Sequence, residues 1–188
     1  MLPSEPAARH REVAGAFTAR VLGTRDWEAP APVAGWVARD VVDHLVGWLP
    51  GFLAMGSDVR LPSAPAVGDD PVAAWHAHAD AVQAVLDDPT SSDRVFSHPR
   101  IGEHALSQAI DRFYTTDVFL HTWDLARATG QDELLDPEQC ATLLAGMEPI
   151  DQLLRDSGQY GPRVPVPDDA DVQTRMIAFI GRDPSWRP

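Results

Sequence analysis

Asp117 and His121 stand four residues apart in the stretch TTDVFLHTWDLARATG (115–130). On a helix, positions i and i+4 project from nearly the same angle, so both side chains can reach one atom. Helical D-x-x-x-H is a chelating spacing, as H-x-x-x-H is in zinc enzymes. An isolated pair of this kind is more often a surface ion pair. The setting argues for more. Val118, Phe119, Leu120, Trp123 and Leu125 flank the pair and indicate a packed helix, and a buried Asp and His need partners. His44, in ARDVVDHLVGW, lies in a second apolar helical stretch and is a candidate third ligand. Taken alone it reads as a satisfied core histidine. Asp40, one turn before it, is placed to orient the imidazole through its second nitrogen, while Asp43 points elsewhere. Asp124, one turn beyond His121, is either a further acceptor behind that ring or an i,i+3 partner of Arg127.

Together His44, Asp117 and His121 offer two imidazoles and one carboxylate, with positions left for water or substrate. That set suits Zn²⁺ or another borderline divalent ion, and an incomplete protein shell marks a catalytic rather than a structural site. The same set occurs in non-haem iron enzymes, but those usually sit on β-barrels and this pattern is helical. The other histidines read as bland: His76 and His78, two apart, as solvated surface residues; His10, among Arg9, Arg11 and Glu12, as exposed; His104 as a helix start; His98 as a loop residue that could border a site. Cys140 reads as core, because nothing nearby marks it for activation. No serine elbow, phosphate loop or dinucleotide fingerprint is present.

Five helices must position these groups. The spacing predicts the first over 5–26, with Val13, Phe17 and Val21 on one face, and the second from Trp36 to about Leu49, extending with a kink at Pro50 to about Met55. Residues 57–71 read as loop, and Pro71 opens the third helix, to about Leu86. RVFSHPRIG reads as one short hairpin. The longest helix starts at Glu103 or His104 and ends at Gly130. The fifth covers 136–154, with Asp136 as N-cap, Pro137 at N1 and Pro149 as a kink. A Gly- and Pro-rich tail carries one more short helix. The pattern is all-α and its natural solution is a four-helix bundle, divided here as a bundle over 1–156 and a tail over 157–188 that packs on it.

Composition narrows the function classes. The 188 residues are enough for one sizeable core. The formal charge of −13 disfavours nucleic-acid binding. No apolar run is long enough to span a membrane, and the N-terminus lacks the basic start and apolar run of a signal peptide, so a cytoplasmic location is expected. One cysteine excludes an internal disulfide and a thiolate zinc finger. Lysine and asparagine are both missing. Their A-rich codons make this the mark of a GC-rich genome, as in actinobacteria, and the absence of lysine excludes Schiff-base chemistry.

Three segments carry a resemblance. WVARDVVDHLVGW is similar to the W-x-x-x-D-[LV]-x-x-H-[LV] segment of the mycothiol-dependent maleylpyruvate isomerase-like, DinB-like metal-binding proteins of actinobacteria. DVFLHTWDLARATGQD is similar to that family's second metal-binding segment, in a subgroup with the string HTWDLA. MIAFIGRDPSWRP resembles the subgroup's closing G-R-D-P-x-W. The resemblance implies a DinB-like four-helix bundle with the ligands on His44, Asp117 and His121; the isomerase branch has a glutamate where this chain has Asp117. It implies Zn²⁺, with Ni²⁺ or Fe²⁺ as alternatives, and mycothiol as co-substrate. The metal would lower the pKa of the thiol, and the thiolate would attack a small electrophile, as in an S-transferase or an isomerase. Asp40 or Asp124 would stand behind the ligands and Arg182 could anchor an anionic substrate, unless it forms a salt bridge to Asp183 or the bundle. A homodimer is also implied. Two other readings stay open: a non-catalytic metal-binding module that senses or sequesters a ligand or partner, and a polar network without metal.

Overall fold

Glu5 accepts the Ala8 N–H and Pro6 fills the first turn, so helix α1 (Pro6–Gly23) begins there. It stops at Gly23, short of the expected 26, because Thr24 is extended. Val37 is also extended, and a bridge to Pro30 holds it so. Helix α2 (Ala38–Gly56) therefore starts two residues later than expected, and it runs through Pro50. Asp70 caps helix α3 (Pro71–Asp87), which has Pro71 in its first turn. These are the features of a computed structural model that describes all 188 residues.

The hairpin is present as β1 (Val95–His98) and β2 (Gly102–Ala105). It overturns the expected start of the longest helix. Glu103 and His104 pair across the hairpin with Ser97 and Phe96, so the helical run begins at α4 (Leu106–Ala109). It passes through a π-helical segment, Ile110–Thr115, into α5 (Thr116–Thr129). Gly130, at φ 66°, ends it in the left-handed conformation that glycine adopts without strain. Asp136 caps α6 (Pro137–Met147) as expected. At Pro149 the chain tightens into a 3₁₀ turn, Glu148–Ile150, then continues as α7 (Asp151–Asp156). The tail helix is α8 (Val172–Phe179).

The fold is all-α apart from the hairpin. Helix α1 packs on α3 and α5, and α2 packs on the same two, so the four form a closed ring. Phe17, Leu45, Leu49, Trp75, Tyr114 and Trp123 fill its centre. The hairpin leans on α2 and inserts Phe96 against Phe52. Helix α8 packs on α6, so the tail forms one layer with α6 across the expected division at 156.

Two histidines read as exposed are buried. His10 is 0% exposed and His78 is 3% exposed. His10 shares the inward face of α1 with Val13, Ala14, Phe17 and Val21, and His78 shares that of α3 with Ala74, Trp75, Val82 and Leu86. Helical phase, rather than the charged sequence neighbours, was the informative signal. His10 Nδ1 meets Thr115 Oγ1 at 2.9 Å, and both rings flank Tyr114. Burial lowers both imidazoles to about 4, which keeps them neutral at physiological pH.

Candidate metal centre

Helices α2 and α5 are packed neighbours in the ring, and this brings His44 to the Asp117–His121 pair from 73 residues away. His44 Nε2 lies 3.0 Å from Asp117 Oδ2, and His121 Nε2 lies 3.5 Å from Asp117 Oδ1. The ligand atoms of the three residues all lie within 4.8 Å of one another. Two donors bound tetrahedrally to Zn²⁺ at about 2.0–2.1 Å stand roughly 3.3 Å apart, and the two contacts to Asp117 bracket that value. The donor set is two imidazoles and a carboxylate, suited to a borderline divalent ion. The residues present therefore fit a metal ion.

The surroundings orient the ligands. Trp48 Nε1 donates to Asp117 Oδ2 at 2.9 Å. Trp36 stacks on the His121 ring at 5.8 Å and lies tilted against His44 at 5.2 Å. On the far side of His121, Nδ1 lies 2.8 Å from Asp124 Oδ2, although the contact is poorly aligned for a linear hydrogen bond. A proton on Nδ1 leaves the Nε2 lone pair facing Asp117, the tautomer a metal ligand needs. The side chain of His121 is 6% exposed, whereas His44 and Asp117 are 33% and 24% exposed. Solvent thus reaches the cluster from the α2 side.

The charges are mutually supporting. Burial works to raise the Asp117 carboxyl, but the His121 charge and the hydrogen bonds of His44 and Trp48 outweigh it and hold it low. Burial works to lower His121, and the carboxylates of Asp117 and Asp124 reverse that and raise it. Asp124 is held low in the same way, by Arg182 and His121 against burial.

Other expected site residues are placed differently. Asp40 does not orient His44. Its carboxylate accepts the Val37 N–H at 2.8 Å and so caps α2. Asp124 does stand behind His121, but its cation is Arg182, not Arg127. Arg127 pairs with Glu133 and donates to the carbonyls of Pro184 and Trp186. Arg182 therefore forms a salt bridge to the bundle and not to Asp183, whose carboxylate accepts from Ser185. With Nε and Nη2 on Asp124, it is not poised to anchor a substrate. His98 and His104 stay on the hairpin, outside the triad. Cys140 is buried and its thiol is pushed up to about 12, first by burial.

The reading from sequence missed Trp36 and Trp48 as site residues. Trp48 lies one turn after His44, a helical-phase signal.

Fold and site together define a helical bundle with a His–Asp–His cluster that could hold a metal ion. The chain belongs to the family of two Mycobacterium tuberculosis proteins, uncharacterized protein MT0763 of strain CDC 1551 and uncharacterized protein Rv0738 of strain H37Rv. Each is 31% identical to it over 183 residues, which cover 95% of this chain and 98% of the relative. No family model matches the chain, and no solved structure does.

Proposed function

We propose that this protein binds one divalent metal ion, Zn²⁺ in the first instance, and uses it as a thiol S-transferase or isomerase acting on a small electrophile. The observation that carries the metal reading is the meeting of three donors from α2 and α5 around one point. The thiol reading rests on the resemblance of WVARDVVDHLVGW, DVFLHTWDLARATGQD and GRDPSW to the mycothiol-dependent, DinB-like family, and mycothiol is the thiol it implies. When bound, the ion would supply the Lewis acidity that makes a thiol acidic near neutral pH.

The chain's own residues would do the rest. His44, Asp117 and His121 would hold the ion. Trp48 would steady the Asp117 carboxylate, and Asp124, 2.8 Å from Nδ1, would favour the His121 tautomer with its proton there. The indole of Trp36 covers one face of His121 and limits water there. A substrate would approach from the partly exposed side of His44 and Asp117.

The first experiment is elemental analysis of the purified protein, with one equivalent of divalent metal expected and none in His121→Ala. The second is turnover of a panel of electrophiles by metal-replete protein with mycothiol. The absence of both turnover and mycothiol binding would sink the thiol reading and leave a non-catalytic metal-binding module.

A further inference from the structure

Asp124 is a carboxylate on the inward face of α5, only 1% exposed. An unpaired charge there would be costly, so its partner matters. That partner comes from the tail, 58 residues later. Arg182 Nε lies 3.1 Å from Asp124 Oδ1 and Nη2 lies 3.1 Å from Oδ2, a two-pronged contact. Asp124 Oδ2 is in turn 2.8 Å from His121 Nδ1, and His121 Nε2 faces Asp117 at 3.5 Å. Arg182, Asp124, His121 and Asp117 thus stand in one line of contacts.

The tail is pinned in the other direction too. Arg127, on α5, donates to the carbonyls of Pro184 at 3.1 Å and Trp186 at 3.0 Å. One arginine runs from tail to bundle and one from bundle to tail. Gly181, beside Arg182, has φ 88°, and a Cβ there would come within 2.8 Å of the Gly161 backbone. The tail crosses itself at a pair of glycines to deliver Arg182 to its place.

We propose that Arg182 is a positioning residue of the metal centre: by gripping Asp124 it sets the His121 ring with Nδ1 inward and Nε2 toward the metal, and so couples docking of the C-terminal tail to metal binding. The inference rests on the metal-binding reading of the triad. Partners behind metal-ligating histidines typically change metal affinity by about 10–100-fold, and Arg182 acts through such a partner. Coupling is reciprocal, so bound metal must in turn steady the tail.

The test measures Zn²⁺ affinity of the full chain by competition with a chromophoric chelator, alongside the melting temperature of each metal-free variant. Arg182→Ala is expected to weaken Zn²⁺ binding about tenfold, and Arg182→Lys to recover most of that loss. On an Asp124→Asn background, Arg182→Ala should cost less than a further twofold, because the two act in series. Zn²⁺ should slow amide exchange at Arg182 and Trp186 in the parent protein and not in Asp124→Asn. A merely structural arginine would lower the melting temperature without these effects. Affinity within twofold of the parent in Arg182→Ala overturns the proposal, as does an equal loss on both backgrounds. If Arg182→Ala does not fold, Arg182→Gln takes its place in the same comparison. If the parent takes up no Zn²⁺, the metal reading falls. The grip of Arg182 on His121 is then judged by ¹⁵N shifts of the His121 ring in metal-free protein: a shift in Arg182→Ala sustains it and an unchanged ring overturns it.

Discussion

Asp117 takes three contacts at one carboxylate: His44 and Trp48 on Oδ2, and His121 on Oδ1. Its reach sets the centre. Asp117→Asn keeps the shape and removes the charge, so Zn²⁺ affinity in the chelator competition should fall at least about 100-fold while the fold survives. Asp117→Glu tests the other variable, arm length, and its affinity relative to the parent reports whether the ion sits where a glutamate would hold it. Trp48→Phe removes one hydrogen bond to Asp117 and keeps the aromatic body against Phe52 and Tyr114. The expected loss is about 1 kcal/mol, or several-fold in metal affinity. A parent-like affinity would show that the indole N–H does not steady the carboxylate. At this scale the sequence was a good guide to which atoms could bind a metal, because i,i+4 spacing is a local property. It was a poor guide to which atoms stand behind them. Asp40 is one turn from His44, as an orienting partner should be, yet its carboxylate went to the nearer unsatisfied N–H of Val37.

Two elements decide how the ligands are presented. The first is the π-helical turn Ile110–Thr115, which lies just before Asp117. An extra residue in a turn rotates everything after it by about 100° relative to an uninterrupted helix. The turn thus sets the phase of Asp117 and His121 toward α2, and with it the inward placement of Tyr114 and Thr115. No residue in IDRFYT announces it, since the widened turn is stabilised by what it packs. The second element is the tail. Gly181→Ala introduces a Cβ at a positive φ and against the Gly161 backbone. It should destabilise the protein by about 1–2 kcal/mol or more, visible as a lower melting temperature. Faster proteolysis should be confined to the last residues, and an unchanged digestion pattern would refute the tight crossing. Caps were legible where one residue supplies both signal and structure: Asp70 before Pro71, Asp136 before Pro137, and Gly130 at the end of α5. The start of the 106–129 run was not, because Glu103 and His104 are claimed by a strand partner across the hairpin.

For the whole molecule, His10 and His78 contribute a slope to the acid side of the stability curve. Both rings are neutral in the fold, with pKa about 4 against an ordinary 6.5. The unfolded chain takes up protons first as pH falls. Their contribution is therefore intact above about pH 6.5, is lost between 6.5 and 4, and levels off below that. Each ring accounts for on the order of 3 kcal/mol across the window. His121 has the opposite sign. Its raised pKa gives stability that is complete below 6.5 and lost as pH rises through its folded value, so it adds no slope in this window. Asp117 and Asp124, held low, matter only below the ordinary carboxylate range. Urea unfolding of chelator-treated protein at pH 7, 6, 5 and 4.5 should show a steep loss, and His78→Leu should make it shallower. Equal slopes in the two proteins would count against neutral burial of the ring.

What the sequence determined by itself was whatever is settled within one helix: an all-α chain, the caps that punctuate it, and a chelating pair with a plausible third ligand. The tertiary structure decided everything that needs a partner from far along the chain. It closed α1, α3, α2 and α5 into a ring that brings His44 across 73 residues to Asp117. It sank His10 and His78 beside Tyr114, and it carried Arg182 across 58 residues to Asp124. The physical reason is the same in each case. Spacing fixes which side chains share a face, but an ionisable group takes whichever partner the packing delivers, and burial makes that choice decisive by raising the cost of having none.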